Sequence, residues 1–182
     1  MDIMKNQFTI SSSYQWPTDG KKSSKNNSEK AIKSIVKMIK DRFSNNKNGK
    51  LNYNINYRRL RASAGKTILE AIYIRIIKSN VLIIDITENN RNVFIETGIA
   101  ITLAKQNQNL SVYFIKELID GKSINEDLPS NLQGYFISGY KVDSKGNVVF
   151  KDSLSLRMSI EGDVKEYFNS LENIFESIYE IN

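Results

Sequence analysis

The chain has 182 residues, 40% of them hydrophobic and 25% charged, which is a globular balance and enough length for one sizeable core. It contains no Cys and no His, which excludes disulfides, thiolate nucleophiles, Ser-His-Asp triads and His-based metal sites, and leaves acid–base chemistry to Asp, Glu, Lys or Tyr. The formal charge of +6 is uneven: residues 21–66 carry fourteen Lys/Arg against Glu29 and Asp41, and residues 161–182 carry six acids against Lys165.

In chain order, Gln7–Ser12 reads as a first strand, followed by a polar stretch to Asn27 with loop signals at Trp16-Pro17 and Asp19-Gly20. Ser28 is the expected N-cap of a helix from Glu29 to about Phe43, with Ile32, Ile35, Val36, Ile39 and Phe43 on one face and Asn45–Gly49 as its end. Leu51–Tyr57 alternates like a half-exposed strand. A second helix, about Ala64 to Lys78, carries a core stripe of Ile68, Ile72 and Ile76 with neighbours Leu69 and Ile77. Val81–Ile86 is a continuous apolar run, as a parallel strand buried on both faces requires. After a polar loop, Thr87–Asn92, come a helix over Val93–Lys105, a buried strand over Leu110–Ile115 and a long loop or lid over Lys116–Asn131. Tyr135–Tyr140 and Val148–Phe150 add strand. A last helix, Asp163 to about Tyr179, aligns Val164, Tyr167, Phe168, Leu171, Ile174, Phe175 and Ile178.

Strands alternating with helices in this way predict an α/β domain with a mostly parallel sheet over residues 1–150, and a C-terminal helical extension, 151–182, packed on it. Met1–Lys5 has no signal-peptide apolar region and no apolar run reaches membrane-spanning length, so a cytoplasmic location without membrane attachment is expected. The basic half reads as a solvated Lys-rich face. It lacks the interleaved aromatics of single-strand binders, so nucleic acid is not an expected partner.

Ligands of open parallel sheets bind beyond the carboxyl ends of the strands. There, Asp85, Thr87, Asn89, Asn90 and Asn92 offer donors and acceptors suited to sugar hydroxyls, and the first turn of the next helix suits a phosphate. Glu96 lies one turn in and faces the same crevice if Phe94, Ile95 and Ile99 face the core, with Gly98 and Ala100 leaving room beside it. Plainer roles stand beside these: Glu96 as a surface carboxylate, Asp85 as a loop-ordering acceptor, Asn92 as an N-cap, Ser11 and Ser12 as turn residues, and Trp16 as loop packing. Gly65-Lys66-Thr67 has the ending of a phosphate-binding loop, but that motif needs a glycine where Leu60 stands, so ATPase or kinase activity is not expected.

The run Asn80–Thr87, its Asn-rich loop, and then Asn92-Val93-Phe94-Ile95-Glu96-Thr97-Gly98-Ile99-Ala100 resembles a signature of nucleoside 2-deoxyribosyltransferase-like and prokaryotic TIR-like nucleotide-binding proteins. Asp127–Tyr135 and the first strand, Phe8–Ser12, resemble further segments of such proteins, so the likeness spans about residues 7–142. It implies a flavodoxin-like three-layer fold and cleavage of an N-glycosidic bond, with Glu96 attacking or stabilising the ribosyl C1′. It further implies that Asp85, Thr87 and Asn92 line the sugar and phosphate, and that Ser11, Ser12 and Tyr14 contact base or phosphate. Deoxyribosyltransferases carry acidic residues where this chain has Arg58-Arg59-Leu60-Arg61 and Asn90-Arg91-Asn92; arginines favour phosphate, which shifts the expected substrate to NAD or a related nucleotide, with Arg91 or the Arg58–Arg61 cluster holding it. No cofactor is required; the nucleotide is the substrate. Deoxyribosyl transfer on nucleosides or their monophosphates stays open as the sibling chemistry, and a non-catalytic nucleotide-signal binding module as the alternative class. The resemblance also implies a homo-oligomer and a role in antiphage defence beside a partner protein.

Overall fold

The computed structural model describes residues 7–15, 22–44, 53–60, 67–88, 90–126 and 128–179. The expectations for Trp16–Gly20, Asn45–Gly49, Leu51-Asn52, Arg61–Lys66, Asn89 and Asp127, and for the side chains of Ile68, Phe175 and Ile178, fall outside the described residues.

The elements run β1 (Gln7–Ser13), α1 (Lys22–Ser44), β2 (Asn54–Arg59), α2 (Ile68–Ile77), β3 (Val81–Asp85), α3 (Arg91–Gln106), β4 (Ser111–Glu117), a 3-10 turn (Ser130–Leu132), β5 (Ile137–Val142), β6 (Val148–Phe150) and α4 (Ser153–Tyr179). One six-stranded sheet has the order β2-β1-β3-β4-β5-β6, parallel except for β6, which closes a hairpin with β5. This is a flavodoxin-like doubly wound fold, whose 2-1-3-4-5 order places the topological switch point between β1 and β3.

The reasons are local first. All five residues of β3 are buried, which is why the strand is an unbroken apolar run up to Asp85. Two cores lie on the two faces of the sheet. One joins Phe8, Ile10, Val81 and Ile83 to Ile32, Ile35 and Ile39 of α1 and to Leu156, Ile160, Val164 and Phe168 of α4. The other joins Leu82, Ile84 and Phe114 to Ile72 and Ile76 of α2 and to Val93, Ala100 and Leu103 of α3. Each large side chain fully buried this way contributes roughly 1.5–3 kcal/mol, and four such residues anchor α4 on the face that α1 also covers.

Four expectations are corrected. α1 starts at Lys22, so Ser28 is a buried interior residue of the helix and not its cap. α4 starts at Ser153, ten residues before Asp163, and Gly162 stands inside the helix with open space around it. Leu69, Ile77 and Ile174 are exposed, the apolar stripes of α2 and α4 being wider than the faces they bury. Asn90, not Asn92, caps α3, its Oδ1 accepting the N–H of Asn92 at 2.9 Å and of Val93 at 3.3 Å.

Candidate functional site

The carboxyl ends of β1, β2, β3 and β4 lie along one edge of the sheet, and the side chains gathered there form the candidate site. β1 and β2 both run further than the hydrophobic pattern suggests. β1 ends at Ser13, and β2 ends at Arg59, carrying both Arg58 and Arg59 into the sheet.

Ser13 is the last residue of β1 and is buried; its hydroxyl donates a short hydrogen bond to Glu96 Oε2 on α3. The contact spans the β1–β3 switch point, the place at which ligands of doubly wound sheets bind. Glu96 is partly buried. Burial holds its carboxyl above the usual glutamate range, against the opposing effects of the Ser13 hydrogen bond and the Arg59 charge. Arg59 lies over the Tyr14 ring at 3.7 Å and donates to the Tyr14 carbonyl at 3.2 Å. Tyr14 is thus the floor under a guanidinium whose charge reaches Glu96.

Next along the edge, Asp85 is buried at the end of β3. Its Oδ1 accepts from the Thr87 N–H at 2.8 Å and from the Thr87 hydroxyl, and its Oδ2 accepts from the Tyr140 hydroxyl at 2.6 Å. Ser28 of α1 adds a further hydrogen bond. Burial raises the Asp85 carboxyl above its ordinary range, while these donors pull it back, and the same burial, with Asp85 alongside, raises the Tyr140 phenol. The Thr87 hydroxyl also accepts the Glu117 N–H at 2.8 Å, tying the ends of β3 and β4 together. Glu117 closes the row, its Oε1 accepting from Asn27 of α1 at 2.7 Å.

The structure therefore redistributes the residues picked from the sequence. Glu96 stands partly buried at the switch point, and Tyr14 is buried beneath Arg59. Asp85 and Thr87 stand behind it, their polar atoms committed to each other, to Tyr140 and to Glu117. Ser11 and Ser12 are fully buried one strand step too early: the Ser11 hydroxyl pairs with Ser79 at 2.6 Å and accepts from Arg58, and the Ser12 hydroxyl pairs with Tyr57 at 2.9 Å. Arg58 is drawn under α2, where it donates to the carbonyls of Arg75 at 3.0 Å and Lys78 at 2.5 Å, so it caps a helix C-terminus and is not a phosphate clamp. Arg91 and Asn92 are exposed in the first turn of α3. Ile95 is half exposed instead of facing the core, Ala100 is packed within the core, and Gly98 meets only open space.

Ser13, Arg59, Asn27 and Glu117 were missed. Strand alternation would have pointed to Ser13, which shares a face with Ser11 one step nearer the edge, and to Glu117, had β4 been extended two residues past Ile115. Asn27 had no signal, because its partner is ninety residues away. Among the described residues there is no group of three or more carboxylates arranged to hold a metal ion, and no helix is long and apolar enough to cross a membrane.

No protein-family model, curated protein or solved structure matches this chain.

Proposed function

We propose that this domain cleaves the N-glycosidic bond at the ribosyl C1′ of NAD or a related nucleotide, with Glu96 at the reacting carbon. The observation that carries this reading is the Glu96 carboxylate itself: partly desolvated, fixed by Ser13 and set beside Arg59 at the switch point of a doubly wound sheet. A poorly hydrated carboxylate attracts cationic charge more strongly than one in water. A ribosyl–pyridinium carries positive charge in the ground state, and an oxocarbenium-like carbon carries it in the transition state, so both favour ionised Glu96.

In the step proposed, the C1′–N bond breaks and its electron pair stays on the departing base. Glu96 stabilises the cationic carbon or bonds to it. Water then adds at C1′ and releases a proton, giving base and ribosyl product; an adenine nitrogen in place of water gives a cyclised product. Arg59 supports a nucleotide over a nucleoside, because its guanidinium lies near enough to Glu96 for its charge to act on that carboxyl, whereas Arg58 is drawn beneath α2. The role in antiphage defence rests on the sequence resemblance alone.

The test is chromatographic product analysis of wild type and Glu96→Gln with NAD, nucleosides and nucleoside monophosphates. Release of nicotinamide or free base by wild type alone is the expected result. Turnover of deoxynucleosides with indifference to NAD would replace this reading with deoxyribosyl transfer. Nucleotide binding with no turnover on any substrate would replace it with a signal-binding module.

A further inference from the structure

Eight of the ten residues of α2, Ile68–Ile77, are apolar, yet the helix lies at the surface. Ile72 and Ile76 are buried in the core that α2 shares with α3. Leu69, Tyr73 and Ile77 are instead 55%, 46% and 44% exposed. Their spacing of four residues sets them one above another, as an apolar stripe along the outer side of the helix. α3 packs beside α2 on the same face of the sheet and adds Ile95, half exposed. A helix that is apolar nearly all round is normally covered on every side, and apolar surface gathered in one place and left in water marks an interaction site.

The pattern of the stripe fits a second copy of itself. Leu69 and Ile77 lie four residues to either side of Tyr73. A two-fold axis at Tyr73 that lays two α2 helices antiparallel therefore seats Leu69 on the second copy's Ile77 and the two Tyr73 rings on each other. Glu70 and Lys78 follow Leu69 and Ile77 by one residue, so both border the same side of the stripe, and both are exposed. The two-fold axis keeps that side against the same side of the other copy, so each Glu70 meets the second copy's Lys78. A parallel arrangement would lay like ends of the two helix dipoles together and leave both charges unmatched. Four side chains about half exposed offer roughly 400 Å² of apolar surface per copy, the size of a functional patch and about half of a standard interface. That amount suits a reversible dimer, not an obligate one.

We propose that α2 is a self-association surface: two copies of this chain pair antiparallel through Leu69, Tyr73 and Ile77, with Glu70 and Lys78 of each copy closing the two ends. α2 starts after the carboxyl end of β2 and runs back to the start of β3, so the antiparallel pairing sets the two Glu96 sites at opposite ends of the shared face. Each copy keeps a whole site, and the surface stands whether or not Glu96 is catalytic.

The test is sedimentation velocity of the full chain between about 1 µM and about 1 mM, with a dissociation constant on the order of 10–100 µM expected. Tyr73→Ser, at an exposed position, should weaken association at least ~10-fold while leaving the melting temperature of the dilute protein nearly unchanged. Glu70→Lys and Lys78→Glu should each weaken it about 3- to 10-fold, because Lys then faces Lys, or Glu faces Glu. The double variant should return to within about threefold of wild type. It carries both charges at the wrong ends of the helix dipole, so its recovery cannot come from a stronger helix. A chain that stays monomeric at about 1 mM would overturn the proposal, and so would a dimer that tolerates Tyr73→Ser or is not restored by the double variant.

Discussion

Ser13 and Glu96, eighty-three residues apart in the chain, are joined by a single hydrogen bond across the switch point of the sheet. The hydroxyl is the last one β1 presents, and the carboxylate is the acid that α3 offers to the crevice. The bond favours the ionised carboxylate, while burial favours the neutral one and prevails.

Ser13→Ala removes the donor that holds Glu96 toward its charged form, so the carboxyl rises further above the glutamate range. Any activity that requires ionised Glu96 should then have its acid limb at a higher pH than in wild type, with kcat unchanged well above that limb. A pH–rate profile checks this. An unmoved acid limb would mean that Glu96 is not the titrating group.

Glu96→Gln should abolish turnover and yet stabilise the fold at neutral pH. The folded state holds the Glu96 proton more tightly than the unfolded chain does. Its contribution to stability is therefore fully present below the unfolded glutamate pKa and is lost as pH rises through the raised folded value. The glutamine variant has no such loss. Its melting temperature should exceed wild type at neutral pH, and the difference should vanish in acid. Equal curves at every pH would show that the carboxylate is not strained by burial.

Arg58 and Arg59 are adjacent in sequence and should fail in different ways. Arg58→Ala strips α2 of its C-terminal donor and leaves buried Ser11 with one partner fewer; a destabilisation of about 2 kcal/mol is expected, with ligand affinity intact in the folded protein. Arg59→Ala should cost about 1–2 kcal/mol of stability, since it removes a cation–π contact with the buried Tyr14 ring and a donor to the Tyr14 carbonyl. It should weaken nucleotide binding roughly 10- to 100-fold. Denaturation and calorimetric titration of both variants separate the two effects.

Tyr140→Phe takes away a buried donor to Asp85 Oδ2 and should cost about 1–2 kcal/mol. The penalty should be larger above the raised Asp85 pKa, where the carboxylate must stay ionised without this donor, than below it, where the carboxyl is protonated. Urea denaturation at the two pH values reads the difference.

Gly98→Ala meets no atom within 4 Å, and a helical alanine is better than a glycine by roughly 0.5–1 kcal/mol. A higher melting temperature is expected. Activity lost together with that gain would mean that a ligand or another chain approaches α3 at Gly98.

Local sequence was sufficient for the architecture. The buried run Val81–Ile84, the helical spacing of Ile32, Ile35 and Ile39, and the alternation of helices with strands each follow from short-range pattern, and together they require a parallel, doubly wound sheet. The choice of Glu96 as the residue to watch was also legible, because it lies one turn into the helix that follows a buried strand.

The rest was decided by register and by contacts over long separations. In a strand, neighbouring side chains point to opposite faces. Once β1 and β2 pair Ser11 with Arg58 and Ser12 with Arg59, the two arginines must part, one beneath α2 and one over the Tyr14 ring. The same pairing spends Ser11 and Ser12 internally and leaves Ser13 for Glu96. Asn27 meets Glu117, and Asp85 meets Tyr140, only because the sheet brings the ends of β3, β4 and β5 together under α1. No window of sequence contains both members of any of these pairs, so the partners of each polar group, and with them its charge state, belong to the tertiary structure.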